Sequence, residues 1–162
     1  MPNKIMKRTT SLPSIEMKRY LEDHLPYRKS ILDCWLNISS CQPPSEKVLR
    51  NCAFEAALIH CRVLLEFLGL ASSQKPPLKL VQKHNYHSSD GVVHEVKISD
   101  LNGTFVELNE LNDEEKYLLA KIYYTANKAS AHLTYDSQHG LNSGDLERAI
   151  PIVFRLLKDH LH

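Results

Sequence analysis

Side chains able to do chemistry concentrate in the stretch YYTANKASAHLTYD at 123–136. On a helix, at about 100° per residue, Lys121, Thr125, Lys128 and His132 share one narrow face, with Tyr124 and Tyr135 close beside it. Lys128 and His132 are one turn apart, which sets an ammonium near an imidazole. A neighbouring cation lowers a histidine pKa and favours the neutral form that a general base requires. Tyr135 or Asp136 can orient or balance that ring. The plainer reading is a solvated polar face, since Lys, Thr and His on the outside of a helix need no special cause.

Three further groups carry charge or metal-binding potential. Arg62 is one turn from Glu66 and two turns from Glu55, so ion pairing can satisfy all three on an enclosed helix. Alternatively the planar fork of Arg62 binds an anion or phosphate in a cleft, with Glu66 beside it. His60 falls within the apolar face of the same segment and reads as a hydrogen-bonded core histidine. His84, His87, His94 and Glu95 have the chemistry for zinc or nickel, but in an irregular segment scattered histidines usually bind nothing. No metal and no cofactor is expected. Lys4, Lys7, Arg8, Lys18 and Arg19 give a weak nucleic-acid signal without interleaved aromatics to stack on bases.

The elements that must position these groups are mostly helical. Residues 46–68 contain no helix breaker, follow a good cap in Ser45 and end at Gly69. Leu49, Ala53, Ala56, His60, Val63 and Phe67 step along one face by threes and fours. Ala57, Leu64 and Leu68 widen that face on one flank, and Cys52 and Ile59 on the other, as in a central helix with several neighbours. Before it, Ser14 opens a helical stretch that Pro26 divides or kinks, and Pro43-Pro44 stops it. After it, SSQKPP reads as a linker, and VKISD and TFVEL alternate around Leu101-Asn102-Gly103 as a hairpin would. Asp113 opens a helix with the core stripe Leu118, Ile122, Ala126, Ala129 and Leu133. Ser143 or Asp145 opens the last one, with Pro151 in its second turn.

The expected fold is all-α: an antiparallel bundle of four to five helices with a small β-hairpin or loop insert around 92–108. Residues 1–13 form a loose basic arm, and 14–162 form one helical domain interrupted by an insert over 70–112. Twenty Lys and Arg against nineteen Asp and Glu leave a net charge of +1, too little for a general basic field. Five scattered glycines, against roughly 7% in average usage, argue against phosphate-cradling loops of the P-loop or dinucleotide-binding kind. Cys34, Cys41, Cys52 and Cys61 lack zinc-knuckle spacing and read as reduced packing residues. No secretory signal and no spanning apolar run is seen, so the expected location is the cytoplasm, away from membrane.

The order of AFEAALIHCRVLLEFLGL, an extended insert, and ANKASAHLTY resembles the HEPN-like helical families, and within them small bacterial proteins carrying an NKxxAHLT stretch. The resemblance covers roughly 45–136. It implies an up-down bundle that homodimerises and, in many members, a metal-independent ribonuclease of toxin–antitoxin or phage-defence systems with an Arg-x(4–6)-His motif at the dimer cleft. Transferred residue by residue, His132 matches the motif histidine. Asn127 stands at the Arg-x4-His position, with Lys128 beside it as a cation lacking the bidentate fork. The resemblance therefore implies an RNA- or nucleotide-interacting module in which catalysis is in doubt. If a bond is broken, His132 is the acid–base and Lys128 the charge stabiliser, with Arg62, Glu66, Asn127 and Tyr135 around the ligand. The competing class is a non-catalytic protein-interaction scaffold that recognises its partner through the 70–112 insert.

Overall fold

The computed structural model describes residues 14–40, 47–73, 75, 77–84, 95–131 and 141–161. Their order is α1 (Ser14–Arg19), a π-helical turn (Tyr20–His24), α2 (Leu25–Ser40), α3 (Lys47–Phe67), strands β1 (Leu70–Ser72) and β2 (Leu80–Gln82), 3-10 turns at Ile98–Leu101 and Leu108–Glu110, then α4 (Asp113–Ala131) and α5 (Ser143–His160). The fold is mostly helical with one small antiparallel sheet. The basic arm and Ser45 lie outside the described residues.

Pro26 does not break the first helical stretch. It has no N–H to offer the Glu22 carbonyl, and its ring would crowd that oxygen in a regular α-turn. The chain meets this by widening the turn: the Leu25 N–H donates to the Tyr20 carbonyl, five residues back, while Arg19 and Leu25 stay right-handed helical.

Helix α3 is the central element, packed against α2, α4, α5 and β1. Its buried face is Ala57, Leu58, Cys61, Leu64, Leu65 and Phe67, and Leu68 just past its end is buried as well. The expected main stripe is displaced: of its members only Phe67 is buried, while Leu49 is exposed and Ala53, Ala56, His60 and Val63 are half-buried. Trp35 and Leu32 of α2, Leu119 and Ile122 of α4, and Ile150 and Val153 of α5 complete the core.

Gly69 ends α3. It holds φ +83, its N–H donates to the Glu66 carbonyl, and a Cβ there would meet Phe105 at 2.5 Å. The capping boxes of α4 and α5 begin at Asn112, one residue before the expected Asp113, and at Asn142, one and three residues before the expected Ser143 or Asp145. Asn112 and Glu115 bond reciprocally at the start of α4, as do Asn142 and Asp145 at the start of α5.

Of the hairpin or loop expected around 92–108, the described part, 95–108, is a loop. The strands are instead Leu70–Ser72 and Leu80–Gln82, paired Leu70 to Gln82, Ala71 to Val81 and Ser72 to Leu80, so the stretch read as a linker forms their connection. Over 95–108, Ile98–Leu101 is a 3-10 turn and 103–107 has no regular secondary structure. The turn itself is present, with Asn102 left-handed at φ 64 and the Gly103 N–H donating to the Ile98 carbonyl. Gly103 is required by proximity as well: a Cβ there would lie 2.6 Å from the His160 carbonyl oxygen. Ile98, Leu101 and Val106 are buried, so the alternation marks a loop anchored on the helices rather than a sheet. Thr104 and Glu110 bond both ring nitrogens of His160, at 3.0 and 2.9 Å, and tie this loop to the end of α5.

Candidate functional site

Arg62 and Glu66, one turn apart on α3, meet as their spacing requires: Arg62 Nη2 donates to Glu66 Oε2 at 3.3 Å. The other carboxylate oxygen of Glu66 accepts from Lys83 Nζ at 2.9 Å and from the Tyr123 hydroxyl at 2.5 Å. Burial alone would raise the Glu66 carboxyl. The hydrogen bonds from Tyr123 and Lys83, with the charges of Lys83 and Arg62, overcome it and hold the group below its ordinary value. Burial and the same bond push the Tyr123 hydroxyl up to about 12. The Arg62 guanidinium also lies over the Tyr123 ring, 5.5 Å from its centroid. The chemistry of this cluster is that of a structural ion network joining α3, α4 and the segment after β2. Glu55 takes no part that is seen and is exposed on α3.

Lys97 reaches the same place from the loop. Its side chain is 2% exposed, its Nζ donates to the Glu66 carbonyl at 3.3 Å, and Glu95 lies 3.7 Å away. Burial and the nearby Lys83 lower its pKa, against the pull of Glu95 and Glu66.

Beside this network two adjoining cavities form a groove. The inner one, about 240 Å³, is bounded by Val63, Glu66, Phe67, Glu95 and Lys97; the outer one, about 310 Å³, by Glu16, Arg19 and His24. Tyr20, Arg28 and Val96 line both. The π turn and the first turn of α2 carry Tyr20 and Arg28 to this wall. The Tyr20 ring stacks on Phe67, 5.7 Å between centroids and 20° between planes. Burial raises the Tyr20 hydroxyl, with Arg28 opposing.

Arg28 is the pivot of the groove. Its Nη1 lies 3.2 Å from His60 Nδ1, and since a guanidinium only donates, that nitrogen accepts. Burial and the Arg28 charge accordingly lower the His60 pKa and favour the neutral ring. The Nε of Arg28 is buried and has no hydrogen-bond partner. A buried donor left unpaired costs about 1–3 kcal/mol, and such a group calls for an acceptor.

The 121–136 face is placed only in part. Lys121 pairs with Asp145 at 2.8 Å, and Asp145 is bound also by Arg148 at 2.8 Å. Thr125 is buried, with an unpartnered hydroxyl oxygen. At these two positions the face packs inward rather than meeting solvent. Lys128 is half-buried with its Nζ 5.7 Å from the Tyr124 ring centroid, and Asn127 is half-buried beside it. His132, Tyr135 and Asp136 lie outside the described residues, as do His87 and His94. His84 stacks on Phe105, with ring centroids 4.3 Å apart. Among the described residues no cluster of three or more His, Cys, Asp or Glu side chains has the spacing of a metal site. No described helix is long and apolar enough to cross a membrane.

Tyr20, Arg28 and Lys97 were not legible as site residues. The basic run that includes Lys18 and Arg19 does have an aromatic next to it in Tyr20, and that adjacency was the available signal. No family model, curated protein or solved structure matches this chain.

Proposed function

We propose that this chain is a non-catalytic helical module, HEPN-like in its bundle, that binds the phosphate of a nucleotide or RNA in the groove between the π turn, α3 and residues 95–97. The observation that carries the reading is the placing of two cationic side chains on the groove: Arg28 lines both cavities and Lys97 lines the inner one. The planar fork of a guanidinium is the side-chain shape best matched to phosphate. The order of ANKASAHLTY after the long helix supports an RNA-facing module, and Asn127 in place of the motif arginine supports binding without bond cleavage. In this reading Lys128 and His132 serve the bundle and its ligand rather than a reaction. Titration of a labelled decamer RNA and of labelled adenosine monophosphate by anisotropy tests the reading. The native protein binds at least one of them, and Arg28→Gln weakens it at least tenfold. Equal binding by Arg28→Gln, or no binding of either probe by the native protein, overturns the proposal.

A second reading concerns assembly. On α3, Leu49, Cys52, Ala56 and Ile59 recur by threes and fours, and Leu49 is 62% and Ile59 39% exposed. This is the spacing of a helix–helix seam, and a second copy packed antiparallel on it would cover the exposed apolar groups. Sedimentation of the native protein against Leu49→Glu tests it. A dimer lost on substitution is expected, and a native monomer at high concentration ends the idea. In the competing scaffold reading the 70–112 insert recognises a partner through positions other than Leu70, Leu80, Ile98, Leu101 and Val106, which are buried.

A further inference from the structure

We propose that Thr104, His160 and Glu110 form a triad of nucleophile, base and carboxylate, through which the Thr104 hydroxyl takes an acyl group from an activated donor, a thioester or an acyl phosphate. The three residues come from the loop after Gly103, the end of α5 and the 3-10 turn before α4, and none of them lines the groove beside the π turn.

The hydrogen bonds fix where the proton sits. His160 Nε2 lies 2.9 Å from Glu110 Oε2, and a carboxylate only accepts, so Nε2 carries the hydrogen. In the neutral ring Nδ1 is then the acceptor, and the Thr104 hydroxyl donates to it at 3.0 Å. An imidazole so placed draws the proton from an attacking hydroxyl while the carboxylate holds its tautomer, and this constellation is defined by geometry rather than by fold.

Each member is positioned by a second contact or by burial. The other Glu110 oxygen accepts from the Glu107 N–H at 2.7 Å. The Thr104 backbone N–H donates to the His160 carbonyl at 3.0 Å, which already ties the loop to α5, so the side-chain bond to the ring is additional to that tie. Gly103 permits the approach, since a Cβ there would lie 2.6 Å from the same carbonyl oxygen. Exposure is divided as acyl transfer requires. Thr104 is exposed to a donor, whereas the His160 side chain is 9% exposed.

In the reaction the Thr104 oxygen attacks the acyl carbon as its proton passes to His160 Nδ1. The bond from that carbon to sulfur or to the phosphate oxygen breaks, and the leaving group takes the proton from Nδ1. The products are an ester on Thr104 and a free thiol or phosphate, with His160 neutral again and nothing oxidised or reduced. Glu110 faces the transient imidazolium and stabilises it. One acyl group is taken per chain, a modification rather than turnover.

The test exposes the full chain at pH 8 to acetyl phosphate and, separately, to the thioester S-acetyl-N-acetylcysteamine, and follows acetylation of Thr104 by peptide mapping. A positioned base contributes about 10²–10⁴-fold. With at least one donor, Thr104 is therefore expected to react at least tenfold faster in the folded protein than in the same protein unfolded in urea, and the faster donor names the source. His160→Gln falls to the unfolded rate. Glu110→Gln, at an exposed position, keeps the native urea midpoint and slows Thr104 at least fivefold, while acetylation of surface lysines is unchanged. A carboxylate that only tied the loop would, once removed, leave Thr104 more open and its reaction as fast or faster. Equal rates for folded and unfolded Thr104 with both donors, or a Glu110→Gln protein that reacts like the native one, overturn the proposal.

Discussion

Replacing Tyr123 with Phe separates the buried network from ordinary packing. The ring is 3% exposed and stays in place, so only the hydroxyl bonded to Glu66 is lost. A hydrogen bond to a charged group contributes about 1.5–3 kcal/mol, and Glu66 keeps Lys83 and Arg62, so a loss of about 2 kcal/mol is expected at neutral pH. The pH dependence is the sharper signature. In the folded protein Tyr123 titrates at about 12, against about 10 in an unfolded chain. A group whose folded pKa is raised contributes stability that is complete below the unfolded value and disappears as pH rises through the folded one. From pH 9 to 11.5 the native protein therefore loses about 2 kcal/mol through Tyr123 alone, and Tyr123→Phe does not. Burial also raises Cys61 and Tyr20, but these groups are shared by both proteins and cancel in the difference. Urea unfolding at pH 7, 9, 10.5 and 11.5 should show the gap between the two proteins shrinking from about 2 kcal/mol to near zero. A gap that is constant across this range would refute the coupling of Tyr123 to Glu66. At the acid end, the lowered Glu66 carboxyl stabilises above its unfolded pKa. That contribution is lost as pH falls through the folded value, and Tyr123→Phe diminishes it.

Other consequences are simpler to check. Gly69→Ala places a Cβ 2.5 Å from Phe105 at a φ of +83, so denaturant unfolding should register a loss of about 1–3 kcal/mol, and a neutral substitution would mean that Phe105 moves freely. Asn142→Ala removes the side-chain acceptor for the Asp145 N–H and should lower stability by about 1 kcal/mol in the same assay. Brief alkylation at pH 8 followed by peptide mapping should mark the exposed Cys34 and Cys52 and spare Cys61, whose thiol burial pushes up to about 12; equal labelling of Cys61 in the folded protein contradicts that burial.

What could be read from the chain, and what could not, follows from which interactions are local. The long helix before Gly69 and the buried positions Leu118, Ile122 and Ala126 of α4 follow from spacing and stop signals carried within a few residues. The Arg62–Glu66 pair is likewise a one-turn relation. The hairpin was misplaced because alternation of apolar residues reports alternate burial, and Ile98, Leu101 and Val106 obtain that burial by docking on helices. Strands β1 and β2 are three residues each, too short for a period, and are held by pairing that only the folded chain reveals. The groove is the least local feature of all. Tyr20 and Arg28, Phe67, and Lys97 come from three separate stretches with no motif among them, and no spacing rule brings an arginine of α2 to a loop lysine after β2.

The π turn links that groove to one residue of the sequence, and Pro26 makes the link testable. A π turn holds one more residue than an α turn, so it rotates everything before it by about 100° relative to a regular helix. That rotation sets Tyr20 over Phe67 and Arg19 beside the outer cavity. Pro26→Ala restores an N–H that can bond the Glu22 carbonyl and removes the ring that forbids it, and alanine is the better helix former. The helix then has reason to close to a regular α-helix, at the cost of the Tyr20 contacts. Two outcomes are separable. If proline maintains the wide turn, Pro26→Ala keeps global stability in urea and weakens binding of the adenosine monophosphate or RNA probe. If the Tyr20–Phe67 stack holds the turn by itself, Pro26→Ala binds like the native protein, and the turn is a product of tertiary packing rather than of the proline.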